Sequence, residues 1–91
     1  MYHFYALYSL KDHKLYKGTT SNVPKRFIRH NNGGNKSTAH RKPFVLIYVE
    51  TLESKSQALS AERYYKSPEG GAALREKLIA KGILDENGRL R

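Results

Sequence analysis

The stretch Phe44-Val45-Leu46-Ile47-Tyr48-Val49, opened by Pro43 and closed by Glu50, is a nearly unbroken apolar run in a chain of 91 residues. At this length it reads as a β-strand covered on both faces. A chain of this size closes one modest core, so fold and active site must share the same few elements.

The other elements follow from local signals. Tyr2 to Ser9 is aromatic-rich, breaks at Lys11-Asp12-His13 and resumes an extended pattern at Leu15-Tyr16-Lys17, which reads as a β-hairpin. With an even loop, Tyr5 and Tyr16 share one face of the sheet; an odd loop or a bulge separates them. Ser21 or Asn22 can cap a helix that tolerates Pro24 in its first turn, presents Val23, Phe27 and Ile28 as its apolar stripe, and stops at Asn31-Asn32-Gly33-Gly34. From Asn31 to Lys42 there is no large apolar residue, so this stretch reads as a mobile basic loop that can close on a ligand.

After the apolar strand, Ser54-Lys55-Ser56-Gln57 is a capping box for a helix running to about Lys66, with Ala58, Leu59, Ala61 and Tyr65 as its inward set. Ser67-Pro68-Glu69 ends it and starts another, with Leu74, Leu78 and Ile79 inward and Gly82 closing it. The pattern places no element on residues 83–91, apart from a turn at Asn87-Gly88. The order ββαβαα predicts an α+β fold, a three-stranded antiparallel sheet flanked by helices.

Charge narrows the partners. Lys and Arg number 17 against 8 Asp and Glu, and Met1 to Val49 holds nine of the basic residues with Asp12 as its only acid. Such a field attracts polyanions, nucleic acid foremost and anionic membrane second. There is no cysteine, which excludes disulfides and thiolate metal sites. The chain shows no signal-peptide pattern and no membrane-length run, so a soluble, cytoplasmic protein is expected. P-loop, GxGxxG, HExxH and nucleophile-elbow patterns are all missing, and His3, His13, His30 and His40 lack a zinc spacing.

Two features fit a purely structural chain poorly. Glu62 sits among Ala58, Leu59, Ala61 and Tyr65, so its carboxylate leaves the helix on the inward face. An ion pair or a rim position would satisfy it, and so would a hard divalent cation. Arg26 and His30 are four apart on the first helix and could together meet one phosphate, or form part of a solvated basic face with Lys25 and Arg29. Seven tyrosines are too many to be all catalytic, and spacing alone selects none.

Taken in order, the residues form a series: Tyr5 in His3-Phe4-Tyr5, Tyr16-Lys17-Gly18-Thr19-Thr20, Arg26 with His30-Asn31, Ser37-Thr38, Pro43 and Glu50, then Ala58 with Ala61-Glu62 and Lys66. Over about residues 2 to 80 this series resembles the GIY-YIG nuclease superfamily, in particular its short bacterial single-domain members. The first motif keeps the tyrosine without the glycine or isoleucine, and the second keeps tyrosine and glycine around a lysine. The resemblance implies a nuclease domain over residues 1–82, with 83–91 as an unassigned tail. It implies that Glu62 binds one Mg²⁺ or Mn²⁺, that Arg26 stabilises phosphate charge, and that Tyr5 is the general base on the attacking water. Tyr16 would lie beside metal and water, and His30 would assist proton transfer or substrate contact.

A tyrosine titrating near 10 needs help to act as a base at neutral pH. Lys17, Arg29, Lys36, Thr38, His40, Arg41 and Lys66 are the expected nucleic-acid contacts. The implied activity is metal-dependent hydrolysis of DNA phosphodiesters, weakly sequence-specific or structure-directed, in repair or recombination. With no recognition domain in view, a protein partner could supply specificity. A binding module that keeps the fold without activity is the alternative.

Overall fold

The computed structural model describes residues 1–91. Strand β1 (Tyr2–Ser9) pairs antiparallel with β2 (Leu15–Thr20) on one side and β3 (Phe44–Leu52) on the other, giving the sheet order β2-β1-β3. Helix α1 (Val23–Asn31) follows β2, and α2 (Lys55–Lys66) and α3 (Pro68–Ala80) follow β3. A single 3₁₀ turn, Ala39–Arg41, interrupts the loop before β3. The architecture is the expected three-stranded α+β fold in the order ββαβαα.

The strand covered on both faces is β1, the central one, where Phe4 through Ser9 are all 1% exposed or less. The apolar run of β3 lies at an edge, and Val49 is exposed. Uninterrupted hydrophobicity marked β3 because most of its run is aliphatic; β1 hides its burial behind tyrosines and a serine whose polar atoms find partners. One example is Ser9, whose hydroxyl accepts from the backbone N–H groups of Lys11 and Asp12.

Alternation divides the sheet. On one face Phe4, Ala6 and Tyr8 join Ile47, Tyr65, Leu74, Leu78 and Leu84 in the main core beneath α2 and α3. On the other, Tyr5 and Leu7 pack with Phe44 against Tyr16, Phe27 and Leu46. A register shift in the β1–β3 ladder at Ala6/Leu7 adds a residue to β3.

Caps set the helix starts. Asn22, the second of the two candidates, caps α1 by accepting from Lys25 N at 3.0 Å. Ser54 caps α2, and Gln57 reaches back to the backbone N–H of Glu53. Ser67 serves two helices at once, ending α2 and capping α3 through the Gly70 N–H at 3.0 Å. Gly70 is required there, because a Cβ would stand 1.9 Å from the Tyr64 carbonyl oxygen.

Two inward assignments differ in phase. Leu59 is exposed, and on α1 the buried residues are Val23 and His30, while Ile28 is exposed. Histidine replaces isoleucine in the interior because both ring nitrogens are satisfied there. Residues 83–91 fold back: Leu84 is 1% exposed in the main core and bridges to Leu90 around the Asn87-Gly88 turn. Glu50 fastens β3 to α2 by accepting the Tyr48 and Tyr65 hydroxyls at 2.8 and 2.7 Å.

Leu84→Ala should therefore lower unfolding stability by about 2–5 kcal/mol, the usual cost of such a core truncation. Urea titration checks this, and an unchanged midpoint would show that the terminal segment does not contribute to the core.

Candidate active site

The pairing Leu7↔Tyr16 and Tyr5↔Gly18 places Tyr5 and Tyr16 on the same face, with ring centroids 6.3 Å apart. Gly18 makes room for Tyr5: a Cβ at Gly18 would lie 2.7 Å from the Tyr5 Oη. Behind Tyr5 stands His30, fully buried, with its Nε2 3.0 Å from the Tyr5 Oη and its ring 4.8 Å from that of Tyr16. His30 Nδ1 lies 2.8 Å from Thr38 Oγ1, and that hydroxyl donates to the Asn35 carbonyl.

These contacts order the protons. With the Thr38 hydroxyl proton assigned to the Asn35 carbonyl, Thr38 Oγ1 accepts from His30 Nδ1–H, and Nε2 accepts from the Tyr5 O–H. The result is a directional chain, Tyr5 to His30 to Thr38 to Asn35. Asn31 steadies the end of α1 that carries His30: its amide donates to the Phe44 carbonyl and accepts from the Phe44 N–H.

Electrostatics keep both partners neutral. Burial pushes the Tyr5 phenol up to about 12, Tyr16 and Glu62 add to the rise, and the Arg26 guanidinium opposes it. Burial, then the neighbouring Arg26 and Arg29, hold the His30 imidazolium below its ordinary range. Arg26 and Arg29 also line a small recess with Thr20, Asn22 and Lys25, which contains no acidic residue.

Glu62 is half-buried and paired with Lys66 Nζ at 2.6 Å, one turn along α2. The ion pair left open by the sequence is therefore formed. No group of three His, Cys, Asp or Glu side chains converges anywhere in the chain. A lone carboxylate whose charge is felt at Tyr5 still suits a hard cation such as Mg²⁺, which keeps most of its water and takes further oxygens from substrate phosphate.

The expected contact residues are dispersed. Thr38 is 1% exposed and bonded to His30, so it supports the site from behind. Arg41 is tied to Asp12 at 2.6 Å and also donates to the Leu15 carbonyl; the guanidinium pulls the Asp12 carboxyl down to about 2. Lys17 pairs with Ala6 across the ladder and so lies on the face opposite Tyr5, its ammonium on the Tyr65 carbonyl. Arg29, Lys36 and His40 are exposed, and Lys66 is half-exposed on its Glu62 partner. The sequence left out the packing role of Gly18 and the acceptor role of Glu50. A glycine opposite a tyrosine in a strand pair was the available signal for the first.

This arrangement defines a class of protein. The GIY-YIG catalytic domain family model matches residues 1–72, and the chain belongs to that family. Among its relatives, UPF0213 protein SSP2268 of Staphylococcus saprophyticus is 40% identical over 81 residues, covering 88% of this chain and 96% of that protein. UPF0213 protein CPE1444 of Clostridium perfringens is 42% identical over 78 residues, 85% and 83% of the two chains. UPF0213 protein NP_0776A of Natronomonas pharaonis is 38% identical over 87 residues, 94% and 95%. No solved structure matches. The family is one of nucleases, and no helix of this chain is long and apolar enough to cross a membrane.

Thr38→Val preserves shape but strands the His30 Nδ1–H. It should cost about 1–3 kcal/mol, the usual penalty for an unsatisfied buried donor, and shift the imidazole ¹⁵N resonances. Unchanged ¹⁵N shifts would refute the proton order given above.

Proposed function

We propose that the chain is a metal-dependent endonuclease that hydrolyses DNA phosphodiester bonds with weak sequence preference or by strand structure, as repair and recombination require. The observation that carries the reading is the buried 3.0 Å hydrogen bond between the Tyr5 hydroxyl and His30 Nε2, beside Arg26. A phenol titrating near 12 supplies almost no phenolate at neutral pH, so Tyr5 needs somewhere to send its proton. Neutral His30 provides it. As Tyr5 Oη takes a proton from the attacking water, its own passes to His30 Nε2, and the charge formed on the ring is steadied through Nδ1–H to Thr38.

Arg26 would neutralise charge on the phosphate, with Arg29 and Lys25 beside it in the basic recess. Tyr16, its ring tilted against that of His30, would confine the water near Tyr5. Glu62 would hold the divalent ion once the half-exposed Lys66 swings aside. A bound Mg²⁺ or Mn²⁺ would supply Lewis-acid stabilisation of the phosphate and its leaving oxygen.

Tyr5→Phe and Glu62→Gln should each reduce nicking of plasmid and branched DNA by about 100-fold or more, within the usual range for an acid–base group, while leaving salt-sensitive binding intact. Full activity in both variants would overturn the assignment. Wild-type binding with no cleavage under Mg²⁺ or Mn²⁺ would instead support the binding-module alternative.

The His30 shift sets a pH dependence. Its folded value lies below the reference 6.5, so the unfolded chain takes up the proton first as pH falls. Stability and rate should both hold above pH 6.5 and decline as pH drops through the folded His30 value. A rate that rises on acidification would exclude neutral His30 as the acceptor.

A further inference from the structure

The face of the sheet opposite Tyr5 carries a cleft of about 620 Å³ between the β1–β2 hairpin, the first turns of α3 and the C-terminal turn. Lys14 and Lys17 line it from the hairpin, Arg75 from α3, and Asn87 and Gly88 from the terminal turn, with Leu84 among the few apolar residues there. Glu76 is the sole acid in the lining, and it pairs with none of these cations. The two ion pairs of the chain, Arg41–Asp12 and Lys66–Glu62, lie elsewhere. Three cations therefore face one cleft without a carboxylate partner.

The Lys17 ammonium reaches the start of α3, where a Cβ on Gly71 would be in ordinary contact with its Nζ, at 3.4 Å. That ammonium spends one hydrogen on the Tyr65 carbonyl, leaving two. Gly88 takes a left-handed φ of 79° in the terminal turn and lies next to Arg75, where a Cβ would be in ordinary contact range at 3.8 Å from its Nε. Burial, together with Arg75 and Lys66, lowers the Lys17 ammonium below its ordinary range, so the cations repel one another and an anion would relieve them.

We propose that this cleft binds a phosphate group, and that it gives the protein a second hold on the nucleic-acid backbone, on the face opposite Tyr5. A planar guanidinium fork and two ammonium groups facing one cleft match a tetrahedral oxyanion. The source of the phosphate rests on the nucleic-acid reading above; the phosphate chemistry does not. The molecule is about 20 Å thick on its shortest axis. A nucleic acid that meets both faces must be long enough to pass around the sheet edge. Longer or branched substrates therefore gain a contact that a dinucleotide lacks.

The test measures anisotropy of a labelled oligonucleotide about 20 nucleotides long against the wild type, the Lys14→Gln/Arg75→Gln double variant and Arg26→Gln across a salt series. The double variant should bind roughly tenfold more weakly at low salt, with a salt slope reduced by about one. Loss in Arg26→Gln alone would overturn the cleft proposal while sparing the proposed function; loss in neither would defeat both. Titration of ¹⁵N-labelled wild type with inorganic phosphate and with a 5′-phosphorylated dinucleotide needs no variant to fold. Shifts at the Lys17, Gly71, Arg75 and Gly88 amides are expected. Such shifts without an oligonucleotide effect would assign the site to free phosphate esters, and their absence would overturn it.

Discussion

The structure depends on the burial of β1 from both sides. A central strand in a three-stranded sheet has no edge, so each of its side chains must be apolar or find a partner. One face supplies Phe4, Ala6 and Tyr8 to the core, and the other supplies Tyr5 to the candidate active site. Because successive residues point in opposite directions, the packing that fixes Phe4 also fixes the plane from which Tyr5 projects. A slip of one residue would exchange core and site together.

On the Tyr5 face, neighbouring residues remove the freedom that would blur a proton path. Gly18 yields space to the phenol, Asn31 fastens the end of α1 to β3, and Thr38 fixes the imidazole from behind. The loop carrying Thr38 is basic and has no large apolar residue, but it is anchored at one buried hydroxyl. The expectation of a mobile closing loop is therefore revised at that point: the surrounding charges are exposed, and Thr38 is held.

Elements were legible in the sequence wherever a local rule governed them. Asn22, Ser54 and Ser67 announced their helices because capping is a matter of a few adjacent residues. Burial was less legible. The aliphatic run of β3 looked more interior than tyrosine-rich β1, yet strand order, a non-local property, put β3 at the edge. His30 resembled a surface base because its burial depends on Tyr5 and Thr38, 25 and 8 residues away. Lys17 adjoins Tyr16 in sequence, and strand alternation alone sends the two to opposite faces. The partner of Glu62 was within reach of helical spacing, since Lys66 is one turn away.

Ser67 joins α2 to α3 with no intervening linker, and Gly70 seats the start of α3 directly on the Tyr64 backbone. Two helices joined through one shared cap have no loop between them. Glu62 stands on α2 and Arg75 on α3, so the junction that sets the angle between the helices also sets the relation of these two charges. The candidate metal carboxylate and a cation of the cleft are thus placed by the same few residues, Tyr64 to Gly70.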